Sequence, residues 1–315
     1  MAEPIFNQPH FQDEDKAREH LEKLRWADGV VCPHCGSVSA HYKLEGNAHR
    51  KGLYKCADCR EQFTVTVGTV FERSKIKLHI WLQAVHLMCA SKKGVSAKQM
   101  ERMFGVTYKT AWFMSHRIRE AMNVKADTPL GSAGGAVEAD ETYWGNAEKK
   151  SKTARGWAHK MKVVSLVERD GEKRSFHVAN VTAKNVAPIL RGQVAQKARL
   201  MTDESKVYTK IGQEFAEHGI VTHSAGEYVR DDITTNTVES SFAILKRALY
   251  GTFHHVSEKH LQRYATERDF VWNTRSKLGY SDVDRTEVAL KSIGGKRLMY
   301  QRTSCLVPAF DGSDS

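Results

Sequence analysis

The sequence predicts a mixed α/β protein in which small N-terminal modules precede a larger sheet domain, and three observations predict it. Two Cys-x2-Cys pairs stand twenty residues apart near the N-terminus, a basic helix, turn, helix pattern follows, and beyond residue 136 strands and helices alternate. At 315 residues the chain exceeds the commonest single-domain size, so at least one part buries a sizeable core. A net charge of +11 and a pI near 9.3 favour a polyanionic partner, nucleic acid ahead of an anionic membrane surface. No run approaches the roughly 18 apolar residues of a membrane span, and MAEPIFNQPHFQDEDKAREH lacks the basic-then-apolar order of a secretory signal. The expected location is the cytosol, at the nucleoid, where the six cysteines point to metal rather than to disulfides.

Residues 1–26 form a helical lead, with FQDEDKAREHLEKLRW (11–26) reading as a short charged helix. Residues 27–74 read as a zinc ribbon: Cys32 and Cys35, with Cys56 and Cys59, give two knuckles at a spacing close to structural zinc sites, between short Gly-punctuated strands. His34, His41 and His49 are surplus to a site that four thiolates already fill. Cys89 and Cys305 stand alone and read as packing residues. Residues 75–125 hold an apolar helix over 78–91 and then SAKQMERMF, with Ser96 and Gln99 in capping-box positions, a stop at Gly105 and a restart at Thr107. Eight Lys or Arg against two acids between 92 and 125 suit a helix-turn-helix whose second helix enters a major groove, with Lys109, Arg117 and Arg119 as candidate DNA contacts. A plain αα-hairpin with a basic solvated face is the alternative.

Residues 126–136 (ADTPLGSAGGA) read as a linker, and 137–290 as the sheet domain. There VEADETYW, KMKVVSLVERD and RSFHVANV are strands, followed by helix KNVAPILRGQVAQKA, strand ARLMTDE, helix SKVYTKIGQEFAEHG, strand IVTHS and helix NTVESSFAILKRALYG. That order is what an RNase H-like fold requires. A late helix, HLQRYATERDFVWNTR, carries Arg263, Arg268 and Arg275 for packing first, and Trp112, Trp157 and Trp272 read as buried anchors. Residues 291–315 form a C-terminal tail ending in CLVPAFDGSDS.

Chemistry in an open mixed sheet gathers at strand ends, and there Asp140 and Asp203 sit, with thirty-five residues separating Asp203 from Glu239 on a helix. Two strand-borne carboxylates and one from a helix suit two Mg²⁺ ions, each held by hard oxygen ligands. Glu138 shares the strand face of Asp140, and Glu141 turns away. Glu239 and Lys246, seven residues apart, return to one helix face. Each acid also has a plainer reading, Asp203 as a helix cap and Glu239 with Lys246 as a solvated pair.

ADETYWG, LMTDES and NTVESSFAILKRALYGTFHHVS, preceded by the cysteine pairs and GVTYKTAWFMSHRIREAM, resemble the zinc-ribbon-bearing DDE transposases of bacterial insertion sequences, the IS-fifteen-ninety-five group, over about residues 20 to 280. The resemblance implies an RNase H-like catalytic domain with an acidic triad at Asp140, Asp203 and Glu239 and a companion Lys246 on DNA phosphate. Some relatives place Asn at the third ligand, so Asn236 stays open beside Glu239. The expected activity is Mg²⁺-dependent strand cleavage and strand transfer at element ends, with Mn²⁺ as a substitute metal and zinc as the structural one. The expected partners are double-stranded DNA at element ends and target, with a homo-oligomer assembled on it and no membrane. The alternatives are a catalytically silent zinc-ribbon regulator and an RNase H-like nuclease or resolvase that cuts without joining.

Overall fold

The computed structural model describes residues 3–148 and 156–298, in two compact units. One comprises the chain up to Ser91, Val95–Met122 and the residues from Asp282 on, and the other comprises Lys92–Gly94 and Asn123–Ser281.

In the first unit, α1 (Pro9–Gln12) begins on a proline, whose missing N–H would be unpaired at that position in any case. The Asp13 carboxylate caps α2 (Glu14–Arg25) by accepting the N–H of Asp15 and Lys16, both at 2.9 Å. Acids in the first turn of α2 and Lys23 and Arg25 in its last complement the helix dipole. The ribbon is an antiparallel meander of β1 (His41–Leu44), β2 (Leu53–Cys56) and β3 (Gln62–Phe63), with Trp26, Tyr54 and Phe63 packed ring to ring as its small core. α3 (Leu78–Ala90) is buried on most of its circumference, Cys89 included, and its first N–H groups are capped from α2 by Glu14, which accepts the Leu78 N–H at 2.7 Å. Ser96 caps α4 (Ala97–Phe104) through the Gln99 N–H, but the Gln99 amide reaches Met103 instead of returning to Ser96, so the capping box is half made. Gly105 ends this helix at φ 61°, a left-handed conformation that disfavours a Cβ, and Thr107 caps α5 (Tyr108–Ala121).

The second unit is a five-stranded sheet. β4 (Ala136–Trp144), β5 (Met161–Glu168) and β6 (Lys173–Val178) run antiparallel in sequence; α6 (Ala183–Gln193) then leads to β7 (Arg199–Asp203), and α7 (Lys206–Gly212) to β8 (Glu217–Val221). β7 pairs in parallel with β4, and β8 with β7, giving the order β6-β5-β4-β7-β8. A two-stranded ribbon, β9 (Val229–Arg230) and β10 (Ile233–Thr234), precedes α8 (Asn236–Ala248) and α9 (Glu258–Asn273). Strand parity sorts the core. Val137, Ala139, Val164 and Leu166 face α6 and α7, while Trp144, Met161 and Val163 face α8 and α9 with Leu245, Leu249 and Leu261. α9 is fastened to β6 by side chains: Asp269 accepts the N–H and hydroxyl of Ser175, and Asn273 accepts the Lys173 N–H. Arg268 ion-pairs with Glu267 and Arg275 donates to the Gly171 carbonyl, both in the packing role expected of them.

Two expected boundaries shift. The last helix, α10 (Asp282–Lys291), belongs to the first unit rather than to the sheet domain, which had been expected to run to residue 290. It is held on α3, where Arg285 donates to the Cys89 carbonyl and the Thr286 hydroxyl meets His86 Nδ1 at 2.9 Å. The expected linker 126–136 is built into the second unit from Leu130, which is buried and exchanges backbone hydrogen bonds with Gln193 and Ala195. At Gly131, φ is 70° and a Cβ would stand 2.4 Å from that of Ala198, so this turn is fitted to its neighbour rather than slack. Cys305 and CLVPAFDGSDS lie outside the described residues.

Candidate active site and metal centre

Parallel register brings two aspartates level. Glu138 on β4 partners Met201 on β7, and two residues further along each strand stand Asp140 and Asp203. Both face α8, as strand parity requires. Asp140 accepts the N–H of Glu141 at 2.7 Å, and Asp203 accepts that of Ser205 at 3.0 Å; the helix-cap reading of Asp203 does not hold, because Ser205 is the N-cap of α7.

Glu138 positions the third acid. Its fully buried carboxylate takes the N–H groups of Thr237 and Val238 at 2.8 and 2.9 Å, the Thr237 hydroxyl at 2.9 Å and Arg169 Nε at 2.8 Å. No side chain from Thr235 caps α8, so Glu138 does that work from the sheet, where the helix dipole favours an anion. Arg169 in turn donates to the carbonyls of Asp232 and Thr234, fixing the approach to the helix. One turn into α8, Glu239 accepts the Thr235 hydroxyl at 2.9 Å and stands 3.6 Å from His223 Nε2. Asn236 is exposed at the helix start, and Lys246 is half-buried two turns beyond Glu239.

The acids raise one another. Burial first, then the charges of Glu141, Asp203 and Glu239, push Asp140 up to about 8 against the pull of the Glu141 N–H. Burial also raises Asp203, helped by Glu204 and Glu239 and opposed by the Ser205 N–H and His223. Glu141 turns to the other face as strand alternation predicts, is raised by burial, and accepts the Tyr208 hydroxyl at 2.9 Å. An all-oxygen set of mutually repelling carboxylates fits a hard divalent cation, whose charge would relieve that repulsion.

The thiols are gathered more tightly. Among the described residues, Cys32, Cys35, Cys56 and Cys59 are the one group whose metal-type donor atoms all lie within 4.8 Å of one another. Cys32 and Cys59 sulfurs stand 3.7 Å apart and those of Cys35 and Cys56 3.8 Å, against about 3.8 Å for the edge of a tetrahedron with 2.3 Å zinc–sulfur bonds. Backbone N–H groups of Cys59 and Asp58 hold the Cys56 thiol down to about 7, whereas, against the pull of the Glu61 N–H, burial and the crowding of Cys35, Cys32 and Cys56 push that of Cys59 up to about 12, so the fit to zinc rests on the sulfur geometry. The residues fit zinc.

The basic helix corrects two expectations. Lys109 is exposed on α5, but Arg117 donates to the Glu72 carbonyl and lies 4.8 Å over the Phe113 ring, and Arg119 is only 2% exposed. Helical phase explains this, because Arg119 follows Ala111 and Ser115 at four-residue steps on the buried side. Trp157 also departs from expectation, being 66% exposed against the ring of Tyr143 instead of buried. Sequence reasoning missed the capping role of Glu138, the clamp by Arg169 and the presence of His223. Only Glu138 carried a signal, its parity with Asp140.

Residues 12–62 match the family described as a transposase zinc-ribbon domain, and residues 132–273 match the ISXO2-like transposase domain. A protein of Halobacterium salinarum, described as an uncharacterized protein in transposable element ISH50, is 28% identical over 256 residues, covering 76% of this chain and 84% of that one. A solved structure, the Drosophila P element transposase strand transfer complex, aligns with 69% of this chain and 64% of that one at 11% identity, so this chain spans less than two thirds of its length. Its TM-score of 0.28 is too low to establish a shared fold.

Proposed function

We propose, from the premise that this chain belongs to the zinc-ribbon-bearing, ISXO2-like transposases, that Asp140, Asp203 and Glu239 are the acids that carry out DNA strand cleavage and strand transfer. The observation that carries the proposal is their convergence. Residues far apart in sequence reach adjoining strand ends and the first turn of one helix, close enough that the charge of Glu239 helps to raise both Asp140 and Asp203. The strand order β6-β5-β4-β7-β8, with β5 antiparallel to both of its neighbours, supports an RNase H-like reading of the sheet.

Each residue then has a task. Asp140 and Asp203 hold the reacting phosphodiester's counter-charge from the sheet, and Glu239 closes the set from α8. Glu138 and Arg169 keep Glu239 in register with the strands. Asp140, Asp203 and Glu239 would hold divalent ions, Mg²⁺ by the chemistry of the donors, and the bound ions would supply Lewis-acid stabilisation of the developing charge. Lys246, on the same helix, neutralises a neighbouring phosphate as a point charge. Water attacks the phosphodiester at the element end, its P–O3′ bond breaks and the 3′-oxygen leaves as a hydroxyl; that hydroxyl then attacks a target phosphodiester at the same acids, forming a new P–O bond as the target's own 3′-oxygen leaves and takes up the proton. The helix pair α4 and α5 presents Lys109 to phosphate, the ribbon supplies a zinc-stabilised module, and copies of the chain assemble on the two element ends.

Incubating the protein with element-end duplexes, Mg²⁺ and target DNA tests this. Wild type is expected to give both nicked ends and joined products, and Asp140→Ala neither. Nicking without joining would make the chain a nuclease or resolvase. Equal activity in both proteins would leave a DNA-binding regulator.

A further inference from the structure

The donors around Glu239 do not stop at the three acids. β8 ends at Val221, and the chain enters a short turn, His223–Ala225, at the end of the sheet where Asp203 closes β7. Glu204, beside Asp203, accepts the N–H of His223 at 2.9 Å and of Ser224 at 3.0 Å. Its own N–H, with those of Ser224 and His223, holds Glu204 down to about 2, and the last two bonds tie this turn to the strand end. Tyr228 lies 5.0 Å from the His223 ring and borders it.

So held, the imidazole has one direction of consequence. Nε2 is 3.6 Å from Glu239 Oε1 and 3.4 Å from Thr235 Oγ1, and the side chain is 29% exposed. A separation of 3.6 Å is long for a hydrogen bond. It suits two donors on one ion, since ligands about 2.1 Å from a metal stand roughly 3 Å apart at right angles and about 3.4 Å apart at the tetrahedral angle.

We propose that His223, through Nε2, is a nitrogen ligand to the divalent ion that Glu239 binds. The inference rests on the acid-site reading above and adds a selectivity to it. Asp140 and Asp203 offer oxygen alone, which suits Mg²⁺; an imidazole beside Glu239 favours Mn²⁺ over Mg²⁺ at that position. Such a ligand carries its remaining proton on Nδ1.

The test uses the full chain with zinc in its ribbon and Mn²⁺ as the probe. Pulsed electron paramagnetic resonance is expected to show imidazole nitrogen coupling to bound Mn²⁺ in wild type and none in His223→Ala. Calorimetry should show Mn²⁺ affinity falling about 10- to 100-fold in His223→Ala while Mg²⁺ affinity changes far less. The variant Asp140→Asn with Asp203→Asn serves as control. Mn²⁺ binding that depends on the aspartates, yet lacks nitrogen coupling in wild type or keeps it in His223→Ala, overturns the His223 ligand alone. Mn²⁺ binding unchanged in the double variant overturns the acid-site reading, and His223 with it.

Discussion

The cysteine cluster and the carboxylate cluster are built on opposite principles. Four sulfurs lie within 4.8 Å of one another on two tight knuckles, already at the spacing of a closed tetrahedron. The carboxylates come from two strands and a helix, burial and neighbouring charge raise Asp140 and Asp203, and Glu138 holds the helix from the sheet. A closed thiolate site contributes its binding energy to folding, whereas buried acids that repel one another cost the fold stability while no cation is bound. The contrast can be broken at several points.

The largest effect belongs to zinc. Removing it by chelation, or by Cys32→Ser, should unfold the ribbon, because zinc supplies on the order of 10 kcal/mol that the Trp26, Tyr54 and Phe63 core cannot replace. Hydrogen exchange across residues 27–74 reads this out, and protection retained without metal would make the cluster incidental. The acid site predicts the reverse pattern. Glu239→Gln should leave the folding midpoint and DNA-end binding near wild type while cleavage falls on the order of a thousandfold, about 4 kcal/mol of barrier. Normal cleavage by Glu239→Gln together with a dead Asn236→Ala would move the third ligand to Asn236.

Glu138 sharpens the contrast, since it is an acid of the site that stabilises. Glu138→Ala strands Arg169 and two helix N–H groups and should cost about 3 kcal/mol in urea unfolding. Pairing it with Arg169→Met should recover part of the loss; no loss in the single variant would remove Glu138 as the helix anchor.

Asp140→Asn should do the opposite and stabilise the metal-free protein, by up to about 5 kcal/mol at pH 8. The folded pKa, about 8, lies above the 3.8 of an ordinary aspartate, chiefly through burial, so the fold prefers the neutral acid. Wild type therefore loses stability as pH rises from about 4 to about 8, and the gap to the Asn variant opens across that window and vanishes below it. A constant gap at every pH would assign the effect to packing. The smallest effect is expected at the basic helix. Lys109→Ala should weaken DNA binding a few-fold and lower the salt slope by about 1, whereas Arg119→Ala should act on stability. An unchanged salt slope would take Lys109 off the phosphate backbone.

What was legible in the sequence was whatever local spacing dictates. The cysteine pairs, the caps at Ser96 and Thr107, the strand around Asp140 and the helix around Glu239 depend on neighbours within a few residues. Arg119 was misplaced although its phase relative to Ala111 and Ser115 was readable, because counting charges ignored the helical face. Other features have no local signature. α10 has an ordinary amphipathic pattern that does not say it returns to α3, and nothing around Arg169 marks the two carbonyls and the carboxylate it joins. His223 likewise gains its meaning from Glu204 and Glu239, which fold toward it from elsewhere in the chain.

The anchoring of α8 by Glu138 frees the intervening chain from a geometric duty. Glu239 takes its position from β4, which also carries Asp140, and not from the length of backbone that leads to the helix. Outside α7, β8 and the turn that carries His223, the path from Asp203 to Thr235 can therefore gain or lose residues without respacing the acids, provided that Arg169 keeps its grip near Asp232 and Thr234. Related chains can then differ in the number of residues between their second and third acids and still share one reaction geometry, and peptide insertions for tagging belong in that stretch.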